Sequence, residues 1–224
     1  METTPEHIAQ NFIKTIMKRL VISLVVIILG FLYLIYNVGQ PGSVSIITVI
    51  FAFFLAAATI VFNLLAAEMD REKLYHVLFE EKDADRAREV FQYVIANFPS
   101  ALRQSFISTD FYYATALSMF LTGSNNHDIQ NYLEGVMGGR LHDNGRFKLL
   151  YLAHLSALTH DKQFVDAITP LGKVNGLNKQ IIDYVDAVNA SLNHDDKALQ
   201  DAVSLIEEMN VYPLITEFAQ TLKA

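Results

Sequence analysis

The first 67 residues separate hydrophobic from polar positions more sharply than the rest of the chain. Residues 20–67 contain no Asp, Glu, Lys, Arg or His. Leu20–Tyr36 is a 17-residue uncharged run, which as a helix is about 25 Å long at 1.5 Å per residue. Ile16 and Met17 extend it, with the stems of Lys18 and Arg19 reaching along the apolar surface. Val44–Ala67 is a second uncharged run, of 24 residues, long enough to cross a bilayer with some tilt. Asn37, Gly39, Pro41 and Gly42 lie between the two and favour a turn. A connection this short joins antiparallel neighbours, so the pattern predicts a transmembrane helical hairpin over residues 20–36 and 44–67.

After Ala67 the pattern changes to apolar residues at helical spacing, with no period-two stretches. It predicts an all-α domain with helices over 68–80, 84–97, 101–121, 126–137, 145–159, 161–174, 177–193, 196–209 and 212–222. Asp83 and Asp195 stand where N-caps belong, and Asn97-Phe98-Pro99, Gly123 and Gly138-Gly139 mark stops. Two stretches are alike. Tyr151–Ala167 and Tyr184–Ala202 each run helix, His-Asp turn, helix, and His160 and His194 are 34 residues apart.

The stretch Ala87–Pro99 resembles the second helix of a tetratricopeptide repeat, whose period is also 34 residues. Ala87 matches the small inner residue, Phe91 the aromatic one turn later, and Pro99 the closing proline. Val94 stands in place of the usual Ala, and Tyr75 stands where the preceding helix normally has a small residue. Ile129 and Leu133 replace the Ala and Phe of a second unit. The resemblance therefore implies a degenerate tetratricopeptide-like stack over residues 68–224, the rival being an irregular helical bundle. Such a stack implies a concave surface lined by the first helix of each pair. Ser118, Ser156 and Ser191 would occupy one slot of that partner groove, and Phe111, Leu149 and Tyr184 a neighbouring one.

Charge gives the hairpin a direction. Lys14, Lys18 and Arg19 precede the first span, Arg71 and Lys73 follow the second, and the connection is uncharged. The positive-inside rule then places both termini in the cytoplasm of a cell-membrane protein. A cleaved leader followed by a single anchor fits less well, because the first run is long and no A-x-A-like site follows it. The chain thus divides into a cytoplasmic head (1–19), a hairpin (20–67) and a cytoplasmic domain (68–224). That domain holds 14 Lys+Arg and 22 Asp+Glu, so 14 − 22 = −8. An acidic domain does not bind nucleic acid through bulk charge.

Candidate chemistry adds little. The chain has no cysteine and seven histidines, none at H-E-x-x-H spacing, so neither a metal nor a cofactor is expected. Gly135, Gly138, Gly139, Arg140, His142, Arg146 and Lys148 make an unusual loop, but it lacks the phosphate-binding G-x-x-x-x-G-K-[ST] pattern. No G-x-S-x-G elbow is present, and no enzyme activity is expected. Gly30, Ala52 and Ala56 are small residues suited to close helix packing in lipid. The expectation is a membrane-anchored interaction scaffold or adaptor, with the bilayer and a protein as partners. The alternative is an accessory subunit of a membrane complex, recognised through its hairpin.

Overall fold

The structure is a computed structural model that describes residues 4–38, 46–138, 145–166 and 176–223. Among the described residues every regular element is a helix. The first two, α1 (Pro5–Val38) and α2 (Ile46–Phe79), have 34 residues each and are about 50 Å long. Both pass through the boundaries expected from charge. The basic head supplies the first turns of α1, and the helix expected at 68–80 is the end of α2. No Gly or Pro interrupts α2, and ion pairs Glu68–Arg71 and Asp70–Lys73 bridge its turns where the apolar run stops. Both helices are long and apolar enough to cross a membrane. Only 6% of the most apolar 18-residue stretch of each is buried inside the fold, which is not how a core helix sits.

Polar and aromatic contacts join the two helices at several levels. The Asn63 amide donates to Ser23 Oγ (2.7 Å) and to the Thr59 carbonyl (2.8 Å). Phe31 meets Phe53 edge-on at 5.8 Å. Nearer the helical domain, Arg19 pairs with the buried Asp70 at 2.5 Å. Beyond that pair α1 turns its Ala9, Phe12 and Ile16 face into the core. This face packs on α3 (Ala84–Asn97): Phe12 lies 6.4 Å from Phe98, and Gln10 donates to the Tyr93 hydroxyl at 2.9 Å. The head is thus part of the helical domain's core.

A single helix expected over 101–121 is two, α4 (Ser100–Phe106) and α5 (Thr109–Leu121), separated by extended backbone at Ile107 and Ser108. Phe106 and Ile107, on either side of the break, are both buried. Arg71 Nη1 also donates to the Phe106 carbonyl at 2.5 Å, taking an acceptor that a continuing helix would use.

Then follow α6 (Asn126–Met137), α7 (Arg146–Thr159), α8 (Gln163–Asp166), α9 (Gly176–Leu192), α10 (Asp196–Met209) and α11 (Pro213–Thr221). The helix expected at 161–174 is described only as α8; residues 167–175 lie outside the described residues. The repeated His-Asp turn is real geometry. His160 and His194 have φ of 53° and 57°, and Asp161 and Asp195 accept from the backbone amides of Gln163 and Ala198. Lys82-Asp83 makes the same turn, with Lys82 at φ 56°.

The end of α2, α5, α7 and α9 lie side by side in that order, with α3, α6, α8 and α10 outside them. The stack then closes, because α11 packs on α9 and α10 and also returns to α2. Phe79 of α2 lies between Phe147 (4.7 Å) and Tyr212 (4.8 Å), both nearly parallel to it. Tyr75 meets Phe147 edge-on at 4.8 Å.

Phe12→Ala should lower the unfolding free energy of the full chain in detergent by about 3 kcal/mol, the usual result of emptying a buried aromatic site. Lys14→Ala, on the exposed face of the same turn, should stay within about 0.5 kcal/mol. Equal effects would show that the head does not belong to the core.

Candidate functional site

The groove expected from the repeat register is filled. Phe111, Ser118, Leu149, Ser156 and Tyr184 are all buried, and Ser191 is half-buried. Phe111 meets Tyr75 of α2, and Tyr184 meets Phe218 of α11. Ser118 Oγ donates to the Thr115 carbonyl at 2.7 Å and Ser156 Oγ to the Asp161 carbonyl at 2.5 Å, so both hydroxyls are satisfied within the chain. The physical reason is closure. An open stack would leave the first helices exposed, but here Tyr75, Phe79, Tyr212 and Phe218 occupy the space in front of them.

His154, on α7, shows what this does to a titratable group. Its ring stacks on Phe218 at 3.8 Å, and the Tyr184 hydroxyl lies 2.9 Å from Nδ1. Burial pushes its pKa down to about 4, so the imidazole is neutral in the folded protein at neutral pH. The sign follows from proton counting. Between the unfolded value near 6.5 and about 4, the unfolded chain binds the extra proton, so stability is lost as pH falls through that window.

Near the filled groove lies a cluster of partly buried charge. Arg146, the first residue of α7, pairs with Glu72 of α2, lies 3.4 Å from Asp110 of α5, and has its guanidinium over the Phe147 ring at 4.7 Å. Arg71 pairs with Glu68, and the Tyr212 hydroxyl donates to Glu72 at 3.1 Å. Burial pushes the Asp110 carboxyl up, against the pull of Arg146 and of a hydrogen bond from the Phe147 amide. That amide bond, at 3.2 Å, makes Asp110 the cap of α7 from another helix. Gly145 is what permits it, because a Cβ there would sit 2.4 Å from Asp110 Oδ1. The loop read as a possible phosphate cradle loses Arg146 to this cluster, and Arg140 and His142 lie outside the described residues.

One concave surface of the helical domain lies on its outside. Tyr113, Tyr151, Leu152, Leu155 and Phe164 floor a cleft of about 290 Å³ between α5, α6, α7 and α8, with Gln130 and Glu134 on its rim. Lys148 Nζ sits 5.9 Å from the Tyr113 ring. The signal was present in the sequence. Tyr113 and Tyr151 are two residues after Phe111 and Leu149, about 200° round the helix, so each pair divides between core and cleft.

Gly30, Ala52 and Ala56 do face one another across the hairpin, around a crevice of about 30 Å³. The contact is loose, since a Cβ on Gly30 would meet no atom within 4 Å. No protein-family model matches the chain, and neither a curated protein nor a solved structure matches it.

Two outcomes are expected here. The stability of the full chain should fall by about 3 kcal/mol between pH 6.5 and 4 through His154, and His154→Phe should remove that part of the slope in pH-dependent unfolding. An unchanged slope would place the acid sensitivity elsewhere. Gly145→Ala should lower stability by about 1–3 kcal/mol by displacing the Asp110 cap; Gly135→Ala, where a Cβ meets nothing within 4 Å, is the matched control.

Proposed function

We propose that this chain is a membrane-anchored interaction adaptor. Its two apolar helices cross the bilayer as a hairpin, and its helical domain binds a protein partner on the cytoplasmic side. The reading of the hairpin is supported by the outward-facing apolar surface of both helices, including Leu24, Ile35, Phe54 and Phe62. The cytoplasmic assignment rests on Lys14, Lys18, Arg19, Arg71 and Lys73 at the domain end, and the cell membrane is the membrane proposed.

The helical pairs are read as degenerate tetratricopeptide-like units. The matching turns at Lys82-Asp83, His160-Asp161 and His194-Asp195 support this, as does the side-by-side order of the first helices. The observation that carries the adaptor reading is the outer cleft. An apolar, aromatic floor with a polar rim has the composition of a protein-binding patch. Tethering raises the effective concentration of such a patch for partners at the same membrane. Recognition through the hairpin is less well supported, because Gly30, Ala52 and Ala56 are turned towards each other.

A photo-crosslinking side chain placed at Gln130 in the full chain, in its native membrane, tests the reading. It should yield a discrete partner adduct, whereas the same side chain at the exposed Glu208 of α10 should not. Leu152→Arg should reduce the adduct by about ten-fold, the equivalent of losing one anchor of 1.4 kcal/mol. Equal adducts from both faces, or indifference to Leu152→Arg, would reject the cleft as the partner site.

A further inference from the structure

We propose that the groove between α1, α2 and α4 holds one acyl chain of a phospholipid from the leaflet nearest the helical domain. This rests on reading α1 and α2 as membrane spans. The groove has a volume of about 490 Å³, within the size range of sites that enclose a small ligand. Leu20, Leu24 and Ile27 form one wall, and Ile60 and Leu64 the other. Ser105 and Phe106 of α4 close the end nearest the domain. From Leu20 to Ile27 the groove runs about 10 Å along α1.

The chemistry of the walls selects the occupant. The groove also meets three polar side chains, Ser23, Thr59 and Asn63. Asn63 gives its amide to Ser23 and to the Thr59 carbonyl, and Thr59 gives its hydroxyl to the Leu55 carbonyl. The Asn63 amide and the Thr59 hydroxyl are used within the hairpin and most of the wall is hydrocarbon, so a polar ligand would lose its hydration for little return. An empty apolar groove would forfeit dispersion contacts on every wall, and the solvent at this depth is itself hydrocarbon.

Its position favours a lipid chain over a helix. The charged residues end at Arg19 on α1 and begin at Glu68 on α2. Arg19–Asp70 lies closer to the domain than Ser23–Asn63, by about one turn along α1 and about two along α2, so the groove begins where the charges stop and runs into the apolar segment. A partner helix crossing the whole bilayer along this groove would run into α4, which Arg71 fixes through the Phe106 carbonyl. An acyl chain ends at the same level and leaves its headgroup beside Ser105. Contact with three helices, rather than one flat face, distinguishes this chain from the lipid around the rest of the hairpin.

The test uses the full chain in phosphatidylcholine nanodiscs. Native mass spectrometry should find one phospholipid retained per chain. Leu24→Trp and Ile60→Trp, which fill the groove, should reduce that retention by about ten-fold, a change of 1.4 kcal/mol. Leu29→Trp and Phe62→Trp, on exposed faces outside the groove, should leave it unchanged. A phosphatidylcholine with a diazirine near its chain end should crosslink the unsubstituted protein at the groove walls, which needs no variant to fold. Equal lipid retention in all four variants, crosslinks spread evenly round the hairpin, or a lipid-free dimer would each overturn the proposal. Release of the chain from membranes by alkaline carbonate would overturn the spanning reading and the groove with it. An inserted chain whose lipid ignores the groove overturns the groove alone.

Discussion

Phe79 is held between Phe147 and Tyr212, and most of the structure depends on which helix carries it. Phe79 is the last residue of α2, the same unbroken helix whose other end is an apolar surface. The centre of the helical domain is therefore the end of a membrane-length rod. From Glu68 to Phe79 that rod advances only about 16 Å. A domain built round its last two turns lies directly beside the apolar segment, with α4 at the boundary. The head of α1 adds a second attachment through Phe12 and Ile16. Two helices thus enter one core.

The charges around this hub act as a lock. Glu68, Arg71 and Glu72 of α2 meet Arg146, Asp110 and the Phe106 carbonyl from three other helices. Burying such groups is expensive, and an apolar substitute of equal volume often serves stability as well or better. What the ionic set adds is register. A helix of uniform apolar character could slide or turn against its neighbours, whereas Arg146 reaches Glu72 and Asp110 together in one setting only. The glycine at 145 and the carboxylate at 110 belong to the same device, since the cap of α7 exists only when α5 is in place.

Much of this was legible in the sequence where the cause was local. The uncharged run at 20–67 marks the apolar helices, and Asp83 and Asp195 mark helix starts because a side chain and an amide three residues on decide them. The head's Ala9, Phe12 and Ile16 stand at helical spacing, but a single short stripe does not say what it packs against. The break at Ile107 was not legible, because it depends on an arginine 35 residues away in sequence taking the Phe106 carbonyl. Nor was the closure: Tyr212 and Glu72 are 140 residues apart and nothing near either predicts the other. The sequence also did not disclose how loosely the helices pass at Gly30, where a Cβ would meet no atom within 4 Å.

The candidate site shows the same limit at the scale of one helical turn. The expected repeat register pairs Phe111 with Leu149, but does not say which side of the helical row they face. With an open stack they would face a partner. Once α11 returns to α2, that side becomes the core, His154 is neutralised against Phe218, and the available concavity moves about 200° to Tyr113 and Tyr151. Closure therefore converts the expected binding face into the element that stiffens the domain. The outer cleft and the end of α2 belong to one helical core, so that core sets how the cleft is oriented to the apolar helices.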